Sequence, residues 1–96
     1  MTQKQILKIL ESLKDKINKR YKAELKGIFG SYTRGEAKGD SDIDILVEFQ
    51  KGATLLDLAG LGNFIEEKLQ RKVDVVSQRA VREEPRPYIY NDMIYL

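Results

Sequence analysis

Gly30-Ser31-Tyr32-Thr33-Arg34-Gly35-Glu36-Ala37-Lys38-Gly39-Asp40-Ser41-Asp42-Ile43-Asp44 is the stretch on which the reading of this chain turns. On its C-terminal side, Ile43, Ile45, Val47 and Phe49 alternate with Asp44, Leu46 and Glu48. That period of two, with β-branched residues on one side, predicts a half-buried strand over 43–49. On its N-terminal side, Lys22 to Phe29 leads into a short strand expected at Gly27–Gly30, bounded by glycines. The segment between, Ser31 to Ser41, is polar and punctuated by glycine, with a short helical turn expected inside it.

Working outward, residues 4–21 read as an amphipathic helix. Ile6, Ile9, Leu10, Leu13 and Ile17 form its apolar stripe, and Thr2 is a candidate N-cap. After the turn Gln50-Lys51-Gly52, Thr54 can cap a second helix running to about Leu69. Its expected core stripe is Leu55, Leu58, Ala59, Leu61, Phe64, Ile65 and Leu69, and Gly60 and Gly62 mark a close backbone approach. Lys72 to Val76 is a third short strand. Gln78 to Pro87 reads as a charged loop or broken turn, and Tyr88 to Leu96 as a terminal helix or an edge segment. Helices alternating with short strands argue an α/β (α+β) fold: a small mixed sheet with helices packed against it, one domain over residues 1–96.

The composition removes much of the usual catalytic toolkit. Among 96 residues there is no cysteine and no histidine. Disulfides, thiolate nucleophiles, Cys/His zinc sites and histidine-based triads are therefore excluded. Chemistry here must use carboxylates, amines, hydroxyls, backbone amides and a hard cation. The 17 basic and 15 acidic residues leave a net charge of only +2, which argues against nucleic acid as the partner. No apolar run approaches the roughly 20 residues of a membrane helix. The N-terminal MTQKQILKIL lacks the apolar core of a signal peptide, so a cytoplasmic protein is expected.

Two features of the quoted stretch carry chemistry. Asp42 and Asp44 are two apart at the start of a strand and so project from one face, roughly 6–7 Å apart along the chain. Carboxylates held that close repel unless a cation sits between them, and oxygen-only donors favour Mg²⁺ or Mn²⁺. Gly30 and Ser31 end the first strand, where glycine lets backbone amides approach an anion and serine adds a hydroxyl. Phosphate-cradling amides beside a carboxylate pair are what phosphoryl or nucleotidyl transfer needs. Asp74 points away from the side taken by Val73 and Val75. If its strand neighbours the second, it adds a third carboxylate, as metal ligand or general base.

The pattern Gly-Ser-x3-Gly-x5-Ser-Asp-x-Asp, Gly30 to Asp44, closely resembles the signature of the DNA polymerase beta-type nucleotidyltransferase superfamily. The short chain resembles its minimal nucleotidyltransferase branch, whose members are often encoded beside HEPN-domain toxins. The resemblance extends over nearly the whole chain, to the tail Asp92-Met93-Ile94-Tyr95-Leu96. It implies a nucleotidyltransferase-type fold with Asp42, Asp44 and Asp74 as catalytic metal ligands for two Mg²⁺ ions. It also implies ATP as substrate, with Gly30, Ser31, Arg34 and Ser41 holding the triphosphate. By the same resemblance, AMP would pass to a tyrosine of a HEPN toxin, the chain acting as antitoxin. The resemblance is to relatives without the substrate-binding second domain of larger family members, so the acceptor is expected from a partner or a second subunit.

Rival readings remain open at this point. Asp40, Asp42 and Asp44 match the first half of an EF-hand loop, but Ile45 and Lys51 stand where glycine and glutamate are required. The site could be idle, with the chain neutralising its partner by binding alone. A transferase for RNA or a small molecule is disfavoured by the short chain and small net charge. Tyr88, Tyr90 and Tyr95 either face a partner or pack on the domain itself.

Overall fold

In a computed structural model, which describes residues 2–30, 42–83 and 93–96, the elements run α1 (Gln3–Tyr21), β1 (Ala23–Phe29), β2 (Ile43–Phe49), α2 (Leu55–Leu69), β3 (Val73–Ser77), α3 (Gln78–Glu83) and β4 (Ile94–Tyr95). Four strands form one sheet in the order β3-β2-β1-β4. β1 lies antiparallel to β2 and to β4, while β2 and β3 are parallel, so the sheet is mixed as expected.

Both long helices begin with a reciprocal cap. The Gln5 N–H donates to Thr2 Oγ1 at 3.2 Å, and the Thr2 N–H donates back to Gln5 Oε1 at 2.7 Å. Thr54 and Asp57 repeat the arrangement at α2, where the Thr54 N–H donates to Asp57 Oδ2 at 2.8 Å. Each such cap contributes about 1 kcal/mol by satisfying amides that the first turn leaves unpaired. Lys22 caps the C-terminus of α1 and Gln70 that of α2, both in the left-handed region without a glycine.

The sheet has two apolar faces. Ile6, Leu10 and Ile17 of α1 and Leu61, Phe64, Ile65 and Leu69 of α2 pack with Ala23, Leu25, Ile28, Ile43, Ile45 and Val47 of the sheet, all buried. The tilted Tyr21–Phe64 ring pair, 5.5 Å between centroids, joins the two helices. A Cβ at Gly60 would stand 3.0 Å from the Tyr21 ring, so that glycine does mark a close approach; Gly62 has nothing near it. On the opposite face Phe29, Leu46, Val81 and Met93 form a smaller cluster with Val76.

Four expectations are corrected. β1 begins at Ala23 rather than Gly27: Ala23, Leu25 and Ile28 hold one face because an irregularity between Leu25 and Gly27 resets the alternation. β3 is shifted one residue, to Val73–Ser77. The loop expected from Gln78 contains α3, a helix of six residues, with buried Val81 docking on the second cluster. Leu55 and Ala59 do not belong to the core stripe: Leu55 is 82% exposed and its neighbour Leu56 84%, so α2 is buried only from Leu61 onward. The C-terminal segment supplies an edge strand, β4, with Tyr95 exposed; Tyr88, Tyr90 and Asp92 lie outside the described residues. Among the described residues no helix is long and apolar enough to cross a membrane.

Candidate active site

Strand alternation sorts β2 into two rows. Ile43, Ile45 and Val47 face the long helices. Asp42, one residue ahead of the strand, shares the parity of Asp44, Leu46 and Glu48, and Leu46 packs in the opposite cluster. β3 divides the same way: Val73 and Val75 pack toward the helices, and Asp74 falls on the side of Val76. The parallel register sets Asp44 directly beside Asp74. Neighbouring strands are about 4.8 Å apart, so the two carboxylates stand on adjacent backbones on one face. Asp44 is half-buried, whereas Asp42 and Asp74 are exposed.

Two bonds fix this end of the sheet. The Ile43 N–H donates to the Lys72 carbonyl at 3.0 Å, locking the start of β2 to the start of β3. The Val73 N–H donates to Glu66 Oε2, also at 3.0 Å, tying the residue before Asp74 to α2. Glu66 escaped the sequence reading, since one glutamate among several on a helix carries no signal of a long-range bond.

On the other flank Phe29 of β1 is the register partner of Asp44. Gly30 follows with φ +85°, and the Asp44 carboxylate occupies the space a side chain at position 30 would need. The structure therefore brings Gly30, Asp44 and Asp74 together, with Asp42 two residues along the same row. Ser31, Arg34 and Ser41 lie outside the described residues.

The donors fit magnesium in a particular way. Among the described residues no group of three acidic side chains is gathered tightly enough to hold a metal ion unaided. Asp74 thus joins Asp44 by register without closing a three-carboxylate cage. Magnesium ordinarily takes one or two protein carboxylates and completes its octahedron with substrate phosphates and water. This row of oxygen donors suits a metal that arrives with a triphosphate. A cavity of about 690 Å³ at the other end of β2 and β3, lined by Phe49, Lys51, Gly52, Ala53, Ser77 and Arg79 among others, contains none of these residues. The register of the acidic residues, rather than cavity size, marks the candidate site.

The nucleotidyltransferase-domain family model matches residues 5–95. The chain belongs to this family. Protein adenylyltransferase MntA of Thermococcus cleftensis is 34% identical over 96 residues, covering all of this chain and 97% of the relative. Among solved structures, a toxin–antitoxin crystal structure with AMP-PNP superposes with a TM-score of 0.72 at 27% identity, over 94% of this chain and 70% of that one. The complex of tri-AMPylated Shewanella oneidensis HEPN toxin with MNT antitoxin gives a TM-score of 0.66 at 25% identity, over 99% and 71%. A minimal nucleotidyltransferase structure superposes with a TM-score of 0.72 at 38% identity, over 94% of this chain and 95% of that one, so the mixed sheet with helices on it is the nucleotidyltransferase fold.

Proposed function

We propose that this nucleotidyltransferase transfers AMP from ATP, with Mg²⁺, to a tyrosine hydroxyl of a HEPN-type toxin, and so acts as its antitoxin. The observation that carries the reading is the in-register pair Asp44–Asp74, with Asp42 on the same row and Gly30 against Asp44. The likeness to a protein adenylyltransferase and to toxin–antitoxin complexes supports the acceptor class.

In this reading Asp42, Asp44 and Asp74 hold the cations, and Gly30, Ser31, Arg34 and Ser41 hold the triphosphate. When bound, magnesium offsets the negative charge that builds at the α-phosphoryl group and on the leaving pyrophosphate. Asp74, at the exposed edge of the row, accepts the proton of the acceptor hydroxyl. The acceptor oxygen bonds to the α-phosphorus, the bond to the bridging oxygen breaks, and pyrophosphate departs.

The test is label transfer to the protein encoded beside this one. With Mg²⁺, ATP labelled at the α-phosphate should label that partner on tyrosine, and ATP labelled at the γ-phosphate should not. Label from the γ-position, or none from either with both proteins folded, would overturn the proposal.

A further inference from the structure

We propose that Gly30 is a positioning residue for Asp44: the side chain it lacks is the space in which the Asp44 carboxylate is seated. The inference rests on the reading of Asp44 as a metal ligand and adds a cause for its orientation. A Cβ built on Gly30 collides with Asp44 Oδ2 and stands 3.1 Å from Asp44 Cγ and 3.5 Å from Asp44 Cβ. Oδ2 overlaps outright and Cγ stands tighter than an ordinary contact, so turning the carboxylate about its second torsion moves Oδ2 but leaves Cγ crowded.

Asp44 has little freedom to retreat. Its backbone is paired on both sides, with Phe29 of β1 and with Asp74 of β3. Relief must turn or shift the side chain, which moves the carboxylate from the place it takes against Gly30. Gly30 therefore acts through Asp44, whatever contact its own amide makes with a phosphate.

An internal comparison separates this role from that of an ordinary turn glycine. Gly52 also has a positive φ, +94°, but a Cβ there would meet only Lys22 Nζ, at 3.8 Å. Alanine at 52 meets backbone strain alone. Alanine at 30 meets the same kind of strain and, in addition, Asp44. In an Asp44→Ala background the remaining Asp44 Cβ is an ordinary van der Waals neighbour, and the extra cost should vanish.

The experiment is a thermal-unfolding cycle on the full chain, with wild type, Gly30→Ala, Asp44→Ala, the double variant and Gly52→Ala. The expected result is a larger fall in Tm for Gly30→Ala than for Gly52→Ala, shrinking to the Gly52→Ala value in the Asp44→Ala background. A Gly30→Ala protein that folds only when Asp44 is also alanine gives the same answer. An equal fall in both backgrounds, or failure of both to fold, would overturn the proposal, because backbone strain alone would then exclude a side chain. Mn²⁺ binding followed by electron paramagnetic resonance without nucleotide supplies a readout that plain destabilisation does not move. Folded Gly30→Ala should bind Mn²⁺ about 10–100-fold more weakly than wild type; equal binding would count against it. If wild type binds no Mn²⁺ while the thermal coupling persists, the metal-ligand reading fails and the seating of Asp44 stands.

Discussion

Lys26 shows how single side chains steady the face that carries the aspartates. Its ammonium lies 3.4 Å from both Glu24 and Glu48, which oppose each other in the β1–β2 register. Like charges directly opposite are destabilising, and Lys26 bridges them. Burial acts to lower the Lys26 pKa, but its hydrogen bonds to Glu48 and Glu24 and their charges prevail, holding it above the usual 10.5. A raised folded-state value means the stabilisation is whole below the ordinary lysine pKa and is lost as pH rises through the raised one. Lys26→Met should therefore cost about 0.5 kcal/mol at pH 7–9, small because the groups are screened by solvent. The difference in Tm from wild type should shrink above about pH 10.5; a constant difference there would contradict the account. At this scale the spacing of Asp42 and Asp44 and the alternation of Asp74 with valines announced that the three share one face of the sheet. The sequence could not disclose that Asp44 fills the place of a Gly30 side chain, because that contact depends on how β1 and β2 are paired.

Among the elements, the end of β3 nearest the site is held by α2 through Glu66. Removing that acceptor leaves the Val73 N–H, in a partly buried position, without its carboxylate. Glu66→Ala should cost about 1–3 kcal/mol and reduce AMP transfer, since Asp74 is the next residue. Glu66→Gln, which keeps an acceptor oxygen, should recover most of both; equal loss in the two variants would show that the hydrogen bond is not what matters. Elements fixed by local chemistry were legible: the caps at Thr2 and Thr54 announce α1 and α2, and strict alternation announces β2. Elements fixed by tertiary packing were not. β1 hides behind its irregularity at Leu25/Gly27, and α3 is too short to declare itself without the apolar site that receives Val81. The exposure of Leu55 and Leu56 is a matter of where α2 meets the sheet, which the apolar pattern alone does not encode.

For the whole molecule, the main core and the row of aspartates occupy different faces of one sheet. The larger cluster, between the sheet and the two long helices, carries most of the burial, and the acidic row lies on the other side. Leu61→Ala should thus cost about 2–5 kcal/mol in denaturant unfolding. Leu55→Ala in the same helix should stay within about 0.5 kcal/mol; comparable losses would mean that α2 is seated differently. Asp44 and Asp74, set side by side by the β2–β3 register, are proposed as the working centre of an AMP transferase. The rate of α-phosphate label transfer from ATP to the partner protein decides this. Wild type, Asp44→Asn and Asp74→Asn would be compared at equal folded concentration and saturating Mg²⁺. Wild type should transfer AMP, with Asp74→Asn slower by about 10²–10⁴ and Asp44→Asn slower by at least as much. Transfer by either variant at the wild-type rate would contradict the claim.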